Sequence, residues 1–181
     1  MVLEADLANR SADLESRSAR VEELESLLAA REKSAEVLRK RLENALLGFE
    51  GNGLSVEQRD GKVYVSLEAE LLFASGSANV DDKGEAILRK LGDVIATQHD
   101  LEIIIEGHTD TDRLLSPNIP RNNWELSVLR ATSVLAIIMG QPGVDPSVLT
   151  AAGKGEFHPV DLEDKSKNRR IEVVLAPRLD D

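Results

Sequence analysis

Apolar residues return every seventh position through the first part of the chain. Leu7, Leu14, Val21, Leu28, Ala35 and Leu42 share one heptad position, taken as a, while Leu3, Leu24, Leu38 and Ala45 share the d position. This spacing predicts a long helix over 1–47 with a coiled-coil seam. Arg10, Arg17 and Arg31 fill the remaining d positions. Three arginines in a seam weaken it, although their stems can lie along apolar neighbours while the charge reaches water. Arg20 at g and Glu25 at the following e are placed to pair between parallel helices, and Glu36 with Lys40 supports the helix itself. No glycine or proline interrupts the run before Gly48. At about 1.5 Å per residue the helix would extend roughly 65 Å, a spacer as well as an association element. Two readings stay open: a parallel homodimer, and a single solvated helix docked on another protein.

Beyond residue 47 the pattern shortens. Gly48, Gly51 and Gly53 fall within six residues and cannot continue a stable helix, so 48–53 is expected to be a hinge and 54–181 a separate domain. Leu54 to Arg59 and Lys62 to Leu67 alternate apolar and polar residues around Asp60-Gly61, the signature of a hairpin. A further strand is expected over 69–73 and a loop over 75–77. Asp81 or Asp82 is placed to cap a helix carrying Ala86, Ile87, Leu91, Val94 and Ile95 on one face. Leu101 to Glu106 is rich in β-branched residues and ends at Gly107, which predicts a buried strand. From Trp124 to Met139 the apolar residues return at helical spacing. Two strands close the chain. Helices thus alternate with strands around a mixed sheet, an α+β domain preceded by one long helix.

Composition narrows the function. The chain has 181 residues, 41% of them hydrophobic, enough for one core. It has no cysteine, which removes disulfides, thiolate catalysis and cysteine-bound zinc. A formal net charge of -11 argues against a nucleic-acid partner, since phosphate binding needs a concentrated basic face. No stretch approaches the roughly 20 apolar residues of a membrane span, and no basic segment followed by an apolar one opens the chain.

The densest chemistry lies at Gly107-His108-Thr109-Asp110, followed by Asn123 and Arg130. Asp110 falls just past a strand end and Arg130 on the next helix, so an acceptor-only anion and a planar donor face one space. A zwitterionic amino-acid centre needs that pair, and arginine's fork of donors meets both oxygens of a carboxylate. Thr109 adds a hydroxyl and Asn123 an amide. The plainer readings stand beside it. Asp110 could pair with Arg130 as a structural salt bridge or accept backbone amides, and Asn123 could simply start the helix. Trp124, the only tryptophan, reads better as a packing anchor than as a sugar-stacking platform. His108 with Asp110 and Asp112 suggests a metal, but His99 and His158 bring no matching cluster, so no metal site and no cofactor are expected. A Ser127-His108-Asp110 triad lacks an elbow and an oxyanion donor set, so no enzyme activity is expected.

The ordered set Gly107-His108-Thr109-Asp110, Asn123-Trp124-Glu125-Leu126-Ser127, Arg130-Ala131, Leu149 to Glu156 and Asn168 to Val174 resembles the OmpA-like C-terminal domain family over roughly 63–176, with a lean toward its MotB-like and lipoprotein branches. That resemblance implies non-catalytic binding of peptidoglycan. Asp110 and Arg130 would grip the diaminopimelate of the stem peptide, Asn123 and Thr109 would help, and Leu126, Arg169 and Arg170 would support the pocket. Two departures stand out: the segment 111–122 is longer than in many members, and Phe73-Ala74-Ser75 lacks the acid many carry after the phenylalanine. The same resemblance implies the periplasm of a Gram-negative bacterium, with a membrane anchor upstream of this chain in either membrane. The role is then a wall anchor or, alternatively, the periplasmic part of a MotB-like stator of an ion-driven motor.

Overall fold

Asp60 and Gly61 both take left-handed backbone angles, φ 52° and 67°, the geometry of the two-residue turn whose twist matches its flanking strands. They join β1 (Leu54–Arg59) to β2 (Lys62–Glu68), paired antiparallel with Arg59 opposite Lys62. This hairpin is one edge of the sheet in the computed structural model, which describes residues 2–49, 53–98, 100–114 and 120–178. The expected strand over 69–73 is instead a single helical turn, α2 (Ala69–Leu72). Alanine, glutamate and leucine are strong helix formers, and the turn buries Ala69, Leu71 and Leu72 together where a strand would have sent alternate residues to opposite faces. Phe73 then pairs with Val80 in an isolated bridge.

The remaining elements follow the hydrophobic pattern. Helix α3 (Asp82–Ala96) is capped by Asp81, whose carboxylate accepts from the Gly84 amide at 2.7 Å, and buries Ile87, Leu88, Leu91 and Ile95. Strand β3 (Leu101–His108) leads to α4 (Asn123–Met139), then to β4 (Leu149–Gly155), which runs parallel to β3. A short helix α5 (Lys165–Asn168) precedes β5 (Arg170–Pro177), which inserts between β2 and β3, antiparallel to both. The strand order is β1-β2-β5-β3-β4. One face of β3 sends Leu101, Ile103 and Ile105 into the core, and the other carries Glu102, Glu106 and His108. The expected α+β mixed sheet with helices packed on it is the observed fold.

The long helix, α1 (Val2–Leu46), serves two environments. Ala35, Leu38, Leu42 and Leu46 are fully or almost fully buried in the same cluster as Val63, Val65, Leu67, Ile87 and Leu91. The last turns of α1 therefore cover the hairpin end of the sheet. The expected division at residue 47 differs from this: without α1, the inward faces of β1 and β2 would lie open. Arg31 marks the landing point. Its stem lies against the hairpin turn, where a Cβ on Gly61 would sit 2.9 Å from Arg31 Cγ, and nearby the Gln58 amide donates to the Glu32 carbonyl and carboxylate at 3.1 and 2.7 Å. Before that point the seam is solvated, with Leu7 62% and Leu14 66% exposed and Val21, Leu24 and Leu28 also exposed. Arg10 and Arg17 pair with Asp6 and Asp13 one turn earlier, Arg20 pairs with Glu23, and the expected Glu36–Lys40 bridge forms at 2.7 Å. Of the expected hinge, Gly51 lies outside the described residues, as does His99.

Because Leu42 is wholly buried, Leu42→Ala should cost about 2 to 5 kcal/mol in a urea titration. A chain beginning at Gly53 should be markedly less stable than one beginning near residue 30. Equal midpoints for those two fragments would show that α1 adds nothing to the core.

Candidate ligand-binding site

The site is set by how closely α4 rests on the sheet. A Cβ on Gly107 would collide with the Ser127 carbonyl, and one on Gly153 with the Ser127 hydroxyl and the Val128 side chain. Only glycine permits this approach. Ser127 is fully buried there, its hydroxyl donating to the Trp124 carbonyl at 2.8 Å and accepting from the Gly155 amide at 3.2 Å. The helix begins at a cap, Asn122, whose side chain accepts from the Glu125 amide at 2.9 Å. Capping thus falls to Asn122, which frees Asn123 for the loop after β3. The Asn123 amide group lies 3.2 Å from the Asp110 carbonyl, 3.0 Å from the Asp112 carbonyl and 2.6 Å from the Glu156 carboxylate. It ties the end of β3 to the end of β4.

One α4 turn beyond Leu126, Arg130 enters a cleft of about 490 Å³ with Phe73, Thr109, Asp110, Asn123, Leu126 and Arg169 in its walls. The structure therefore gathers every residue of the expected ligand set, Asp110, Arg130, Asn123 and Thr109, together with Leu126 and Arg169. Arg170, expected as support, is elsewhere. It lies on β5, donating to Glu172 at 2.8 Å and to the His158 carbonyl at 3.3 Å.

The charges are not paired as the structural salt-bridge reading would have them. Asp110 is 7% exposed, and its carboxylate accepts from Arg169 at 2.8 Å and from the Asp112 amide at 3.0 Å. Arg169 also donates to Glu70 at 2.8 Å. Arg130, 5% exposed, instead donates through Nε to the Ser77 carbonyl at 2.9 Å and holds its guanidinium 4.9 Å over the Phe73 ring. No carboxylate of the described residues lies within salt-bridge distance of it. Burial, then the like charge of Arg169, pushes the Arg130 guanidinium down to about 10, with Asp110 opposing. It stays charged at neutral pH. Thr109 contributes a buried hydroxyl without a partner among the described residues.

Chemically this is a cationic end, Arg130 with Arg169, beside an anion, Asp110, each of whose oxygens accepts one hydrogen bond from the described residues. A ligand carboxylate fits the first and a ligand ammonium the second. Glu70, Ser77 and Glu156 were not expected in this region. Each meets its partner across 33 to 99 residues of sequence, so no local spacing could disclose it.

The other histidine reading separates. His108 faces the opposite side of the sheet from Ser127, so the serine triad does not assemble. It sits instead with Glu106 and Glu172, its Nε2 3.5 and 4.0 Å from their carboxylates, and neither ring nitrogen has a hydrogen-bond partner among the described residues. These three side chains are close enough to hold a metal ion. Their acids, however, are already met by Lys154 at 3.2 Å and Arg170 at 2.8 Å, so a dication there would face two fixed positive charges. His108 and Lys154 hold the Glu106 carboxyl below its ordinary 4.5 despite partial burial. A depressed folded value means stability that is present above 4.5 and is lost as pH falls. Glu106→Gln should accordingly lower stability at neutral pH and flatten the acid limb of a thermal-stability profile. An unchanged acid limb would mean that Glu106 is not coupled to folding.

Comparison with known proteins places this geometry. The OmpA family model matches residues 72–172. Motility protein B of Bacillus subtilis (strain 168) is 31% identical over 120 residues, 64% of this chain and 46% of that protein. The chain spans about half the length of the curated relatives it matches. Among solved structures, a MotB-like protein from Desulfovibrio vulgaris superposes with a TM-score of 0.76 at 26% identity, covering 84% of this chain and 99% of that one. The cell wall anchor of the T6SS from Pseudomonas aeruginosa gives 0.68 at 27% identity, covering 77% of this chain and 99% of that one.

Proposed function

The chain belongs to the OmpA family, and from that premise we propose that it binds peptidoglycan without catalysis, taking the zwitterionic end of diaminopimelate between Asp110 and Arg130. The observation that carries this reading is the buried guanidinium of Arg130, which has no carboxylate partner among the described residues. Burying a charge without a counter-charge costs free energy, and a ligand carboxylate would offset that cost. Asp110 is preset for the ammonium, because Arg169 and the Asp112 amide fix the orientation of a carboxylate that can only accept. Thr109 then offers from the cleft wall a buried hydroxyl without a partner among the described residues, and Asn123 stands beside it. Asn123 works mainly by holding the two strand ends in place.

The wider role that follows is anchoring in the cell envelope, with α1 linking the wall-binding domain to whatever it tethers. The stator reading remains as the second, favoured by one observation. The MotB-like structure from Desulfovibrio vulgaris covers 84% of the chain, well beyond the 72–172 of the family domain. Residues encoded upstream separate the two: a lipidated cysteine fits an anchor, and a membrane helix with an acidic residue fits a stator. No helix among the described residues is long and apolar enough to cross a membrane.

Purified sacculi pulled down with the protein test the site directly. Removing one member of a desolvated charge pair costs about 2 to 5 kcal/mol, so Asp110→Ala and Arg130→Ala should each lose retention while keeping a native circular-dichroism spectrum. Arg130→Lys should bind weakly, because a point charge cannot meet both oxygens. Retention of both alanine variants at the wild-type level would sink the assignment.

The solvated seam of α1 further supports parallel self-association of the chain through Leu7, Leu14, Val21, Leu24 and Leu28. With Arg10 and Arg17 in that seam, the dimer should be weak and concentration-dependent. Sedimentation of the whole chain should shift toward dimer as concentration rises, and a fragment starting near residue 30 should stay monomeric. A fragment that dimerises equally well would move the interface to the globular domain.

A further inference from the structure

On the face of the sheet turned away from α4, two acids stand where they repel each other. Glu106 of β3 and Glu172 of β5 are direct cross-strand partners, Glu172 buried and Glu106 partly so. Like charges placed directly opposite are unfavourable, and burial sharpens the repulsion. Two residues further along the same face of β3 lies His108, 3% exposed, with neither ring nitrogen bonded among the described residues. A buried polar group without a partner costs free energy. Its Nε2 is turned toward both acids, 3.5 Å from Glu106 Oε2 and 4.0 Å from Glu172 Oε2. Sequence spacing points His108 toward Asp110 and Asp112, but the pleat of β3 and the insertion of β5 give it Glu106 and Glu172 instead.

We propose that Glu106, His108 and Glu172 form a zinc site, with water as the fourth ligand. The three ligand atoms lie within 4.8 Å of one another, so a small inward movement sets each at the roughly 2.0 to 2.2 Å that zinc requires of nitrogen and oxygen. Imidazole suits zinc, and a nitrogen and oxygen site holds zinc more tightly than manganese or ferrous iron. A dication here faces the charges of Lys154 and Arg170, and their placement decides whether it fits. Lys154 meets Glu106 through Oε1 at 3.2 Å and Arg170 meets Glu172 through Oε1 at 2.8 Å. Both Oε2 atoms are thereby left for the ion, with the outer oxygens held by neighbouring donors, as the carboxylates of metal sites are. Arg170 is buried and also donates to the His158 carbonyl, so it stays in place. The Lys154 side chain is 35% exposed, and its flexible stem can carry the ammonium into water as the ion enters. The ion clamps β3 to β5 behind the charged cleft. His108 stands two residues before Asp110, and Arg170 follows Arg169, whose guanidinium holds the Asp110 carboxylate.

Calorimetric titration of the whole, untagged chain with zinc chloride tests this. One ion should bind per chain, EDTA should remove it, and the melting temperature should rise with zinc concentration. His108→Gln should lose more than the roughly 10- to 100-fold that removal of an outer partner costs a metal site. Lys154→Gln should instead bind zinc about tenfold tighter or more, because one of the two opposing charges is gone. That second variant alters a partly exposed side chain and reads a gain, so it decides the matter if His108→Gln does not fold. Zinc held only by surface acids of a chain with net charge -11 would respond to neither substitution. A wild type that takes up no zinc, uptake that survives unchanged in His108→Gln, or a Lys154→Gln chain that binds no tighter than wild type overturns the site.

Discussion

The bare contact of α4 with the glycines of β3 and β4 is the constraint on which the site depends. Gly107 and Gly153 let the Ser127 backbone sit where a side chain would otherwise stand. Every residue that matters is then placed by its offset from that contact. Asn123 and Trp124 precede it by one turn and reach the ends of β3 and β4, and Arg130 follows by nearly one turn and falls over Phe73. Alanine at Gly107 would push the helix away and separate Arg130 from Asp110 without touching either.

Within the cleft, the charges are organised so that one cation is satisfied and one is not. Arg169 bridges the buried Asp110 and the exposed Glu70. Its value is positional: it fixes the Asp110 carboxylate. Arg130 is held by a backbone carbonyl and an aromatic face, which orient the guanidinium but do not neutralise it. A site built this way pays its desolvation in the folded protein, so a ligand carboxylate meets a donor that is already dry and aimed.

The sequence discloses those features whose signals are local. The Asp60-Gly61 turn, the caps at the start of α3, the β-branched β3 and the amphipathic α4 each announce themselves within a few residues. Asp110 and Arg130 were legible because a strand end and the following helix come together in any βα unit. The pairing of Asp110 with Arg169, however, spans 59 residues, and only the insertion of β5 between β2 and β3 makes it possible. The strand expected over 69–73 failed because a run of apolar residues this short does not distinguish a buried strand from a buried helical turn. Helical spacing places Trp124 on α4, but its packing against Phe157 and Gly155 and its remaining exposure depend on the far end of β4.

The heptad of α1 carries the same lesson further. A repeat of seven says only that one stripe of the helix is apolar, not what covers it. From Ala35 onward the cover is this chain's own sheet, and before Arg31 the described residues supply none. The change comes at Arg31, whose long stem passes over the hairpin turn where a leucine would have ended without reaching water. Because the last turns of α1 belong to the core, that end of the helix is part of the domain and not a separate spacer. A pull applied at the charged cleft would then pass through α4, the sheet and the buried face of α1 as one packed body. The solvated half of the helix, roughly 40 Å long at about 1.5 Å per residue, is left to bend, pair or extend toward whatever lies beyond.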